Sequence, residues 1–271
     1  MNHEIFNKLF QIIVKQKVIL SICAIFLTTI IVVGEDDQFK DDEYIKFRIH
    51  YGFVNAGYAT LNVNEINYEG KPHFHAVGKG WTVGAVKLFF KVDDNYETYI
   101  DKTTQKPSRF IRKINEGGFK KNLDLTFDHE SKKVIQIDKE NGNKKTIHTV
   151  TNDIQDMLSA FYYLRNYNTD NLKTNDFINL NVFMDKDVYP FKLKILGREK
   201  MKTKFGKISC LKIRPYVQSG RVFKANESVT MWVTDDKNKV PVQIKAELAV
   251  GSLKADLEDY KNISTPLNFT K

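Results

Sequence analysis

One stretch of this sequence, Thr151–Asn166, has the hydrophobic period of an α-helix, whereas nearly every other stretch after the first 34 residues alternates like a β-strand. Its apolar residues recur at helical spacing, at Ile154, Met157, Leu158, Phe161 and Tyr162. This spacing predicts an amphipathic helix with one apolar stripe. Asn152 suits the N-cap, and Arg165 in the last turn suits the helix dipole. A single amphipathic helix in a β-rich chain buries its stripe against a sheet, so we predict a sheet that curves around it.

The remaining segments show the period of two that is typical of strands with one buried face. The last three are the clearest, with apolar residues in phase at Val229, Met231 and Val233, then at Val240, Val242 and Ile244, then at Leu253, Ala255 and Leu257. Short strands joined by tight turns favour an antiparallel meander. We therefore predict a mainly β fold, a single curved antiparallel sheet or open half-barrel with one central amphipathic helix at about 151–166.

Two segments are less regular. The first is Trp81–Phe90, for which we predict a short helix or a loop that packs its aromatic and aliphatic side chains on an edge of the sheet. Residues 263–271 form a polar tail, which we expect to be frayed. The predicted organisation is therefore an export segment at 1–34, a single β-rich domain at 35–262 and this tail.

The first 34 residues have the pattern of a secretory signal. Lysines precede the uncharged apolar run Val18–Val33, and Gly34 supplies a small residue at the end of it. We therefore expect a processed chain that begins near Glu35 and resides in the periplasm or at the periplasmic face of the outer membrane. Two alternatives stay open: residues 18–33 remain as an anchor in the inner membrane, or Cys23 is the lipidated residue of a lipoprotein.

The charge of the chain narrows the choice of partners. The formal net charge is +9, and residues 1–34 contribute three lysines and one glutamate, which leaves about +7 for the rest. The lysines are scattered, as on an ordinary solvated surface, although they would also suit anionic lipid or lipopolysaccharide phosphate. Export separates the chain from nucleic acid, so we predict no nucleic-acid partner.

No catalytic or metal-binding motif is present in the sequence, so we predict no enzyme activity, no metal and no cofactor. His73 and His75 share a face of a predicted strand, but no second group of ligands has suitable spacing. Ser159 is not in a nucleophile elbow, and Cys210 has no catalytic partner by motif. A small packed thiol is the expected role of Cys210.

The run Gly220–Tyr260 carries a more specific pattern. A glycine precedes an apolar-Phe-Lys step, a strand bears Trp232, an acidic turn leads into Val-Pro, and Gly-Ser-Leu-Lys-Ala follows. This run resembles the C-terminal signature of the bacterial family called domain of unknown function 3108. Shorter stretches resemble the family too, at Tyr51–Gly57, Asp94–Asp101, Pro107–Gly117 and Asp156–Tyr162.

The resemblance covers nearly all of the predicted domain, from about residue 44 to 260. It implies an exported protein of Gram-negative bacteria, and the lysine-rich composition suggests a Bacteroidetes-type source. No reaction is established for this family, so the resemblance implies no enzymatic activity. In architecture the predicted fold is similar to periplasmic lipoprotein carriers, in which an open half-barrel holds acyl chains against a helix.

Two functions follow from these observations. The first is a non-catalytic binding module that holds an apolar ligand, a lipid or a lipoprotein acyl chain, between the helix and the sheet. The candidate ligand-binding residues share the apolar phases of their elements: Met157, Phe161, Tyr162, Met231, Val242 and Ile244. The alternative is a structural or interaction protein of the envelope, with a fully packed sheet and an exposed edge or a Trp232 face that contacts another protein. The sequence leaves the oligomeric state open.

Overall fold

The computed structural model describes residues 39–217 and 229–271. The predicted export segment, with its possible anchor and lipidation site, lies outside these ranges, and so do residues 35–38 and 218–228. Within them, no helix is long and apolar enough to cross a membrane. The described residues belong to one compact unit.

The chain before the central helix builds nine strands and one short helix: β1 Glu43–Tyr51, β2 Val54–Tyr68, β3 Lys71–Thr82, α1 Gly84–Phe89, β4 Asp93–Asp101, β5 Pro107–Glu116, β6 Phe119–Asp128, β7 Lys133–Asp138, β8 Lys144–Thr149 and β9 Ile154–Gln155. The central helix and six strands follow: α2 Ser159–Asn166, β10 Phe177–Met184, β11 Asp187–Thr203, β12 Gly206–Val217, β13 Val229–Thr234, β14 Pro241–Glu247 and β15 Ser252–Lys261.

All fifteen of these strands belong to one sheet, in the order β8-β7-β6-β5-β4-β3-β2-β1-β15-β14-β13-β12-β11-β10-β9. Neighbours pair antiparallel, except β9 and β10, which are parallel. The first and last strands of the chain, β1 and β15, meet in the middle of the sheet. The predicted fold class is therefore confirmed: a mainly β protein built on one large, open, curved antiparallel sheet that does not close into a barrel.

The central helix is shorter than its sequence pattern suggests. The α-helix begins at Ser159 rather than near Asn152, because Ile154 and Gln155 pair with β10 as the short strand β9. Both of these residues are still buried, as the apolar pattern predicts for Ile154. The apolar spacing of this segment therefore persists across a strand, a turn and a helix.

The core has several parts, because the long sheet presents different stretches to different covers. One cluster joins β2–β7, β9 and β10 with α2 and with the segment before β1, and includes Phe39, Phe74, Leu125, Leu158 and Tyr162. A second joins the end of α2, at Leu164, to β10–β13. Two more clusters receive side chains from the C-terminal segment, Ile263, Leu267 and Phe269 among them.

The C-terminal segment is thus part of the fold, and the prediction of a frayed tail was wrong. Thr270 and Lys207 exchange backbone hydrogen bonds of 2.8 and 2.7 Å. Phe269 and Leu267 pack on the cluster that contains Trp232. The apolar residues of the tail are few and irregularly spaced, so the pattern alone did not indicate burial.

Candidate functional site

The N-terminus of α2 is fixed to the sheet by Asp156. One carboxylate oxygen, Oδ1, accepts hydrogen bonds from the backbone N–H groups of Leu158 and Ser159 at 2.7 and 2.8 Å. The other, Oδ2, accepts the Thr98 hydroxyl of β4 at 2.5 Å. Burial raises the pKa of Asp156 to about 6, against the lowering effect of these hydrogen bonds. The side chain is therefore ionised at neutral pH and satisfies N–H groups that the first helical turn leaves without partners.

The C-terminal end of α2 is held by a buried ion pair. Arg165 is wholly buried and forms a bidentate pair with Glu43 of β1, with Nη2–Oε2 at 2.9 Å. Its Nε donates to the carbonyl of Asn238 at 2.8 Å, and the guanidinium lies 5.5 Å from the ring centroid of Phe39. The Lys239 ammonium donates to the carbonyl of Arg165 at 3.2 Å. Arg165 thereby fixes the helix to β1 and to the β13–β14 connection. The position of Arg165 in the last turn of the predicted helix did not indicate this role.

Between α2 and strands β10–β14 lies an apolar groove of about 330 Å³. Its wall is formed by aliphatic, aromatic and thioether side chains and one proline: Met157, Ala160, Phe161, Leu164, Leu180, Val182, Met184, Tyr189, Phe191, Leu193, Pro215, Val229, Met231 and Ile244. None of these side chains carries a charge, and the Tyr189 hydroxyl is the one polar side-chain group. The groove can accept an apolar molecule without desolvating a charged group of this wall.

Four of the six predicted binding residues line this groove. Phe161 faces it from α2, Met157 faces it from the turn before α2, and Met231 and Ile244 face it from the sheet. Met157 is 40% exposed, and Phe161 is only partly buried. The helix therefore leaves part of its apolar stripe uncovered by the sheet.

Val242 does not line the groove, although it has the same sequence phase as Ile244. Trp232 pairs with Gln243 and Val233 pairs with Pro241, so Val242 is the extra residue of a β-bulge. A bulge interrupts the alternation of faces. Val242 consequently packs with Trp232 and Cys210 in a separate cluster.

Tyr162 does not line the groove either. Its ring packs edge-on against Phe39 at 4.9 Å between centroids, and only 1% of the residue is exposed. Its hydroxyl has no hydrogen-bond partner among residues 39–217 and 229–271. Burial, together with the nearby charge of Glu43, raises the pKa of Tyr162. Tyr162 is a core residue on the side of α2 that faces β3 and the segment before β1, which contains Phe39.

Ten of the fourteen residues of the groove wall were not predicted from the sequence. Six of these ten are alternate residues of β10 and β11: Leu180, Val182, Met184, Tyr189, Phe191 and Leu193. The period of two was visible in both strands. The missing information was that this pair of strands, rather than another, lies beside the helix.

Trp232 is also placed differently from the alternative hypothesis. It is 7% exposed and packs in the cluster that Leu267 and Phe269 of the tail complete. Its indole Nε1 donates to Glu199 at 2.6 Å. Because the chain's own tail packs on this cluster, Trp232 does not present a surface to another protein.

The other sequence candidates have structural partners. His73 is buried and hydrogen-bonds with Ser108 at 2.8 Å, and His75 contacts Glu97 at 3.1 Å. Cys210 is a free, buried thiol, as expected, and burial raises its pKa to about 12. The ranges that the structure covers contain no group of three or more His, Cys, Asp or Glu side chains placed to hold a metal ion.

Two further depressions differ from the groove in chemistry. One of about 360 Å³ lies between the β4–β5 turn and β10–β11, and its wall includes Lys106, Asp153 and Lys192. The other, of about 510 Å³, includes Arg48, Asp256 and Glu258. Both walls mix charged and polar groups with apolar ones, whereas the residues that line the apolar groove carry no charge. The groove is therefore the stronger candidate for a site that binds an apolar ligand.

Comparison with known proteins assigns the sequence to a family. The sequence profile of the family described as Protein of unknown function (DUF3108) matches residues 46–258. Among curated protein sequences, none matches the chain.

Among solved structures, the chain is similar to a β-barrel-like protein of the DUF1849 domain of unknown function from Brucella abortus. The identity is 10% and the TM-score 0.56, over 83% of this chain and 99% of that one. This similarity concerns the fold alone. Weaker matches, each with a TM-score of 0.30 over 82% of this chain and 97% of the other, are a protein assigned as exported with a YmcC-like fold from Bacteroides fragilis, 10% identical, and one assigned as a lipoprotein from Parabacteroides distasonis, 11% identical.

Proposed function

This chain belongs to the DUF3108 family of proteins of unknown function, and we propose that it is an exported, non-catalytic binding protein whose half-barrel holds an apolar ligand. The observation that carries the proposal is the groove between α2 and β10–β14. A fully packed sheet, which the interaction-protein alternative predicts, would leave no such space beside the helix.

The size of the groove favours a slender ligand. Ligand sites commonly occupy about 300–1,000 Å³, and this groove, at about 330 Å³, lies at the lower limit. A single acyl chain suits that volume better than a lipid with two chains. Each buried methylene contributes about 0.8 kcal/mol, so several together offset the entropy lost on binding.

The uncharged wall supports the same ligand class. Among the described residues, no charged side chain lies in the wall, so an acyl chain would bind with its polar head outside the groove, near the exposed Met157. The two carboxylates nearest to α2, Asp156 and Glu43, are engaged in fixing the helix. The part of the chain that the structure covers thus offers this ligand burial rather than a reacting group.

The test is binding of a fluorescent fatty acid, with lipid extraction from protein purified from its own envelope as a second measurement. We expect saturable binding to wild type. Ile244→Trp should fill the groove and weaken binding by about ten-fold or more, since it removes the space for several methylenes. Lys245→Trp, on the next residue of β14 and outside the groove wall, is the matched control and should bind as wild type does.

Two results would contradict the proposal. One is the absence of saturable binding to wild type together with no lipid in the extract. The other is equal affinity for the probe in wild type and in a folded Ile244→Trp protein, which would place the ligand elsewhere.

A further inference from the structure

Four neighbouring connections at one end of the sheet carry exposed apolar side chains. In the antiparallel meander, the β1–β2, β3–β4 and β5–β6 connections lie at the same end, and the β14–β15 turn joins them because β1 pairs with β15. These four are adjacent in sheet order. We call them the apolar rim: residues 52–53, 83–92, 117–119 and 248–251.

The side chains of the apolar rim face solvent rather than the core. Phe53 is fully exposed, and Leu88, Phe89 and Val250 are 84%, 89% and 77% exposed. Phe90, Phe119 and Leu248 are each more than half exposed. Helix α1 buries none of its residues. The prediction that Trp81–Phe90 packs its apolar side chains on a sheet edge was therefore wrong for Leu88 and Phe89.

Backbone and ring contacts make the rim continuous. Tyr51 donates its hydroxyl to the carbonyl of Val250 at 3.0 Å, and Val83 N–H donates to Ala56 at 3.0 Å. Gly117 N–H donates to Lys91 at 2.8 Å. A Cβ on Gly117 would lie 2.4 Å from the Phe90 ring, so glycine permits that ring to pack directly on the turn. Each connection is thus held by the next one along the sheet.

Within the rim the charge has one sign, because its ionisable side chains are Lys87 and Lys91. Lys120 directly follows the rim, and the carboxylates of Asp93, Glu116 and Glu247 also adjoin it. These three lysines are exposed, and none has a carboxylate partner within the described ranges. The opposite end of the sheet is different in character. Its connections carry charges of both signs, as in the β6–β7 turn at 129–132 and the β13–β14 connection at 235–240.

We propose that the apolar rim docks on an anionic lipid surface. Exposed aromatic and aliphatic side chains flanked by lysines are the combination that binds a bilayer interface, since the apolar groups enter the acyl boundary and the ammonium groups stay with the phosphates. A protein partner or a second copy would also bury the apolar groups, but the unpaired lysines favour a surface of dense negative charge.

The position of the groove fits this orientation. Its wall reaches the same end of the sheet at Met184 and Tyr189, beside the β10–β11 turn, and at Val229, where β13 begins. A molecule leaving the bilayer beneath the rim would meet apolar side chains along this path. The docking surface does not depend on the proposed function, because it rests on the four connections alone.

The experiment is vesicle co-sedimentation with the chain from Glu35 onward, which contains the whole compact unit. Vesicles of phosphatidylcholine alone are compared with mixtures containing phosphatidylglycerol. We expect binding to the mixed vesicles that declines as salt is added. The affinity of the triple variant F53S/L88S/F89S for the mixed vesicles should be lower by about ten-fold or more, since the variant loses three exposed apolar groups. K87Q/K91Q/K120Q should lose the preference for anionic vesicles.

Phe177→Ser is the matched control, because Phe177 is also an exposed phenylalanine but begins β10 at the other end of the sheet. It should bind vesicles as wild type does. Equal binding by wild type and the triple serine variant overturns the proposal. So does a wild-type dimer that the serine variant converts to a monomer without any binding to vesicles, which assigns the rim to a second copy.

Fatty-acid binding without vesicles separates this proposal from the groove. The triple serine variant should bind the probe normally, and Ile244→Trp should still bind vesicles. Loss of both activities in either variant, with the fold intact, would contradict the independence of the two sites.

Discussion

Arg165 is a charged side chain that is wholly buried, and its partners explain why it is tolerated in the interior. The pair with Glu43, the carbonyl of Asn238 and the rings of Phe39 and Tyr162 together replace the water that the guanidinium loses. A buried pair of this kind contributes little by itself, but loss of one partner leaves an uncompensated charge. Its role is to fix where α2 lies on the sheet.

The first residue-scale prediction is a double-mutant cycle on this pair. Arg165→Met should lower the free energy of unfolding by about 3–5 kcal/mol, because Glu43 stays buried without its cation. Arg165→Met combined with Glu43→Leu should recover much of that loss. Urea denaturation of the four proteins measures both effects. Additive losses in the double variant would show that the two charges are not coupled.

The second concerns Asp156 and pH. Burial raises its pKa from 3.8 to about 6, so the folded protein holds the proton more tightly than the unfolded chain does. The stability from this group is therefore complete below about pH 4 and is lost as the pH rises through 6, on the order of 3 kcal/mol in total.

Asp156→Asn has no such titration and keeps an oxygen for the N–H groups of Leu158 and Ser159. The stability of wild type relative to this variant should therefore decline between pH 4 and pH 6, as measured by urea denaturation at each pH. A flat difference across this range would mean that the carboxylate is already ionised at pH 4, with the hydrogen bonds outweighing burial.

At the scale of elements, the strength of the apolar pattern does not match the extent of burial in α2 or in the C-terminal segment. The helix has a strong apolar period, yet its uncovered side forms the groove. The tail has a weak pattern, yet it covers Trp232 and supplies Phe269 to two clusters. Gly206 accommodates the tail closely, since a Cβ there would lie 2.5 Å from the carbonyl oxygen of Thr270.

Phe269→Ser tests the contribution of the tail. We expect a loss of about 1–3 kcal/mol in the free energy of unfolding, because an apolar ring that is partly buried on the sheet is removed. The fluorescence of Trp232 should shift to longer wavelength as water reaches it, while Trp81 remains as in wild type. Asn268→Ser, on the exposed neighbouring residue, is the control. An unshifted spectrum and an unchanged urea midpoint would show that the tail does not cover Trp232.

At the scale of the whole molecule, the sheet curves so that side chains near its two edges, at β5–β8 and at β10, come into contact. Phe183 of β10 packs against Phe127 and His148 of the other half of the sheet. In the β10–β11 turn, Asp185 pairs with Arg112 at 2.9 Å and also with Lys121. These contacts hold the β10–β11 hairpin, and with it one wall of the groove, over β5–β7.

The apolar contact should contribute far more than the charged one. Phe183 is 1% exposed, so Phe183→Ala should cost about 3–5 kcal/mol. The Asp185 carboxylate is 47% exposed, so Asp185→Ala should cost at most about 1 kcal/mol, and less at high salt. Urea midpoints at low and high salt measure both. A larger loss for Asp185→Ala than for Phe183→Ala would show that the ion pairs hold the two ends together.

Sequence patterns alone were enough to identify the family, the class of fold, the position of the helical segment and the meander order of most strands. These follow from patterns within short windows, since the period of two and the turn residues act on neighbouring positions. It also indicated four of the groove residues, Met157, Phe161, Met231 and Ile244, because their elements keep a regular phase up to those positions.

Which surface each apolar phase faces depends on the tertiary structure. The bulge at Val242 moves that residue out of the groove, and β9 replaces the first turns of the predicted helix, because pairing with a distant strand outweighs local preference. The burial of Arg165, the covering of Trp232 by the tail and the exposure of Leu88 and Phe89 depend on neighbours remote in sequence. An apolar side chain has the same pattern whether the fold covers it or leaves it exposed.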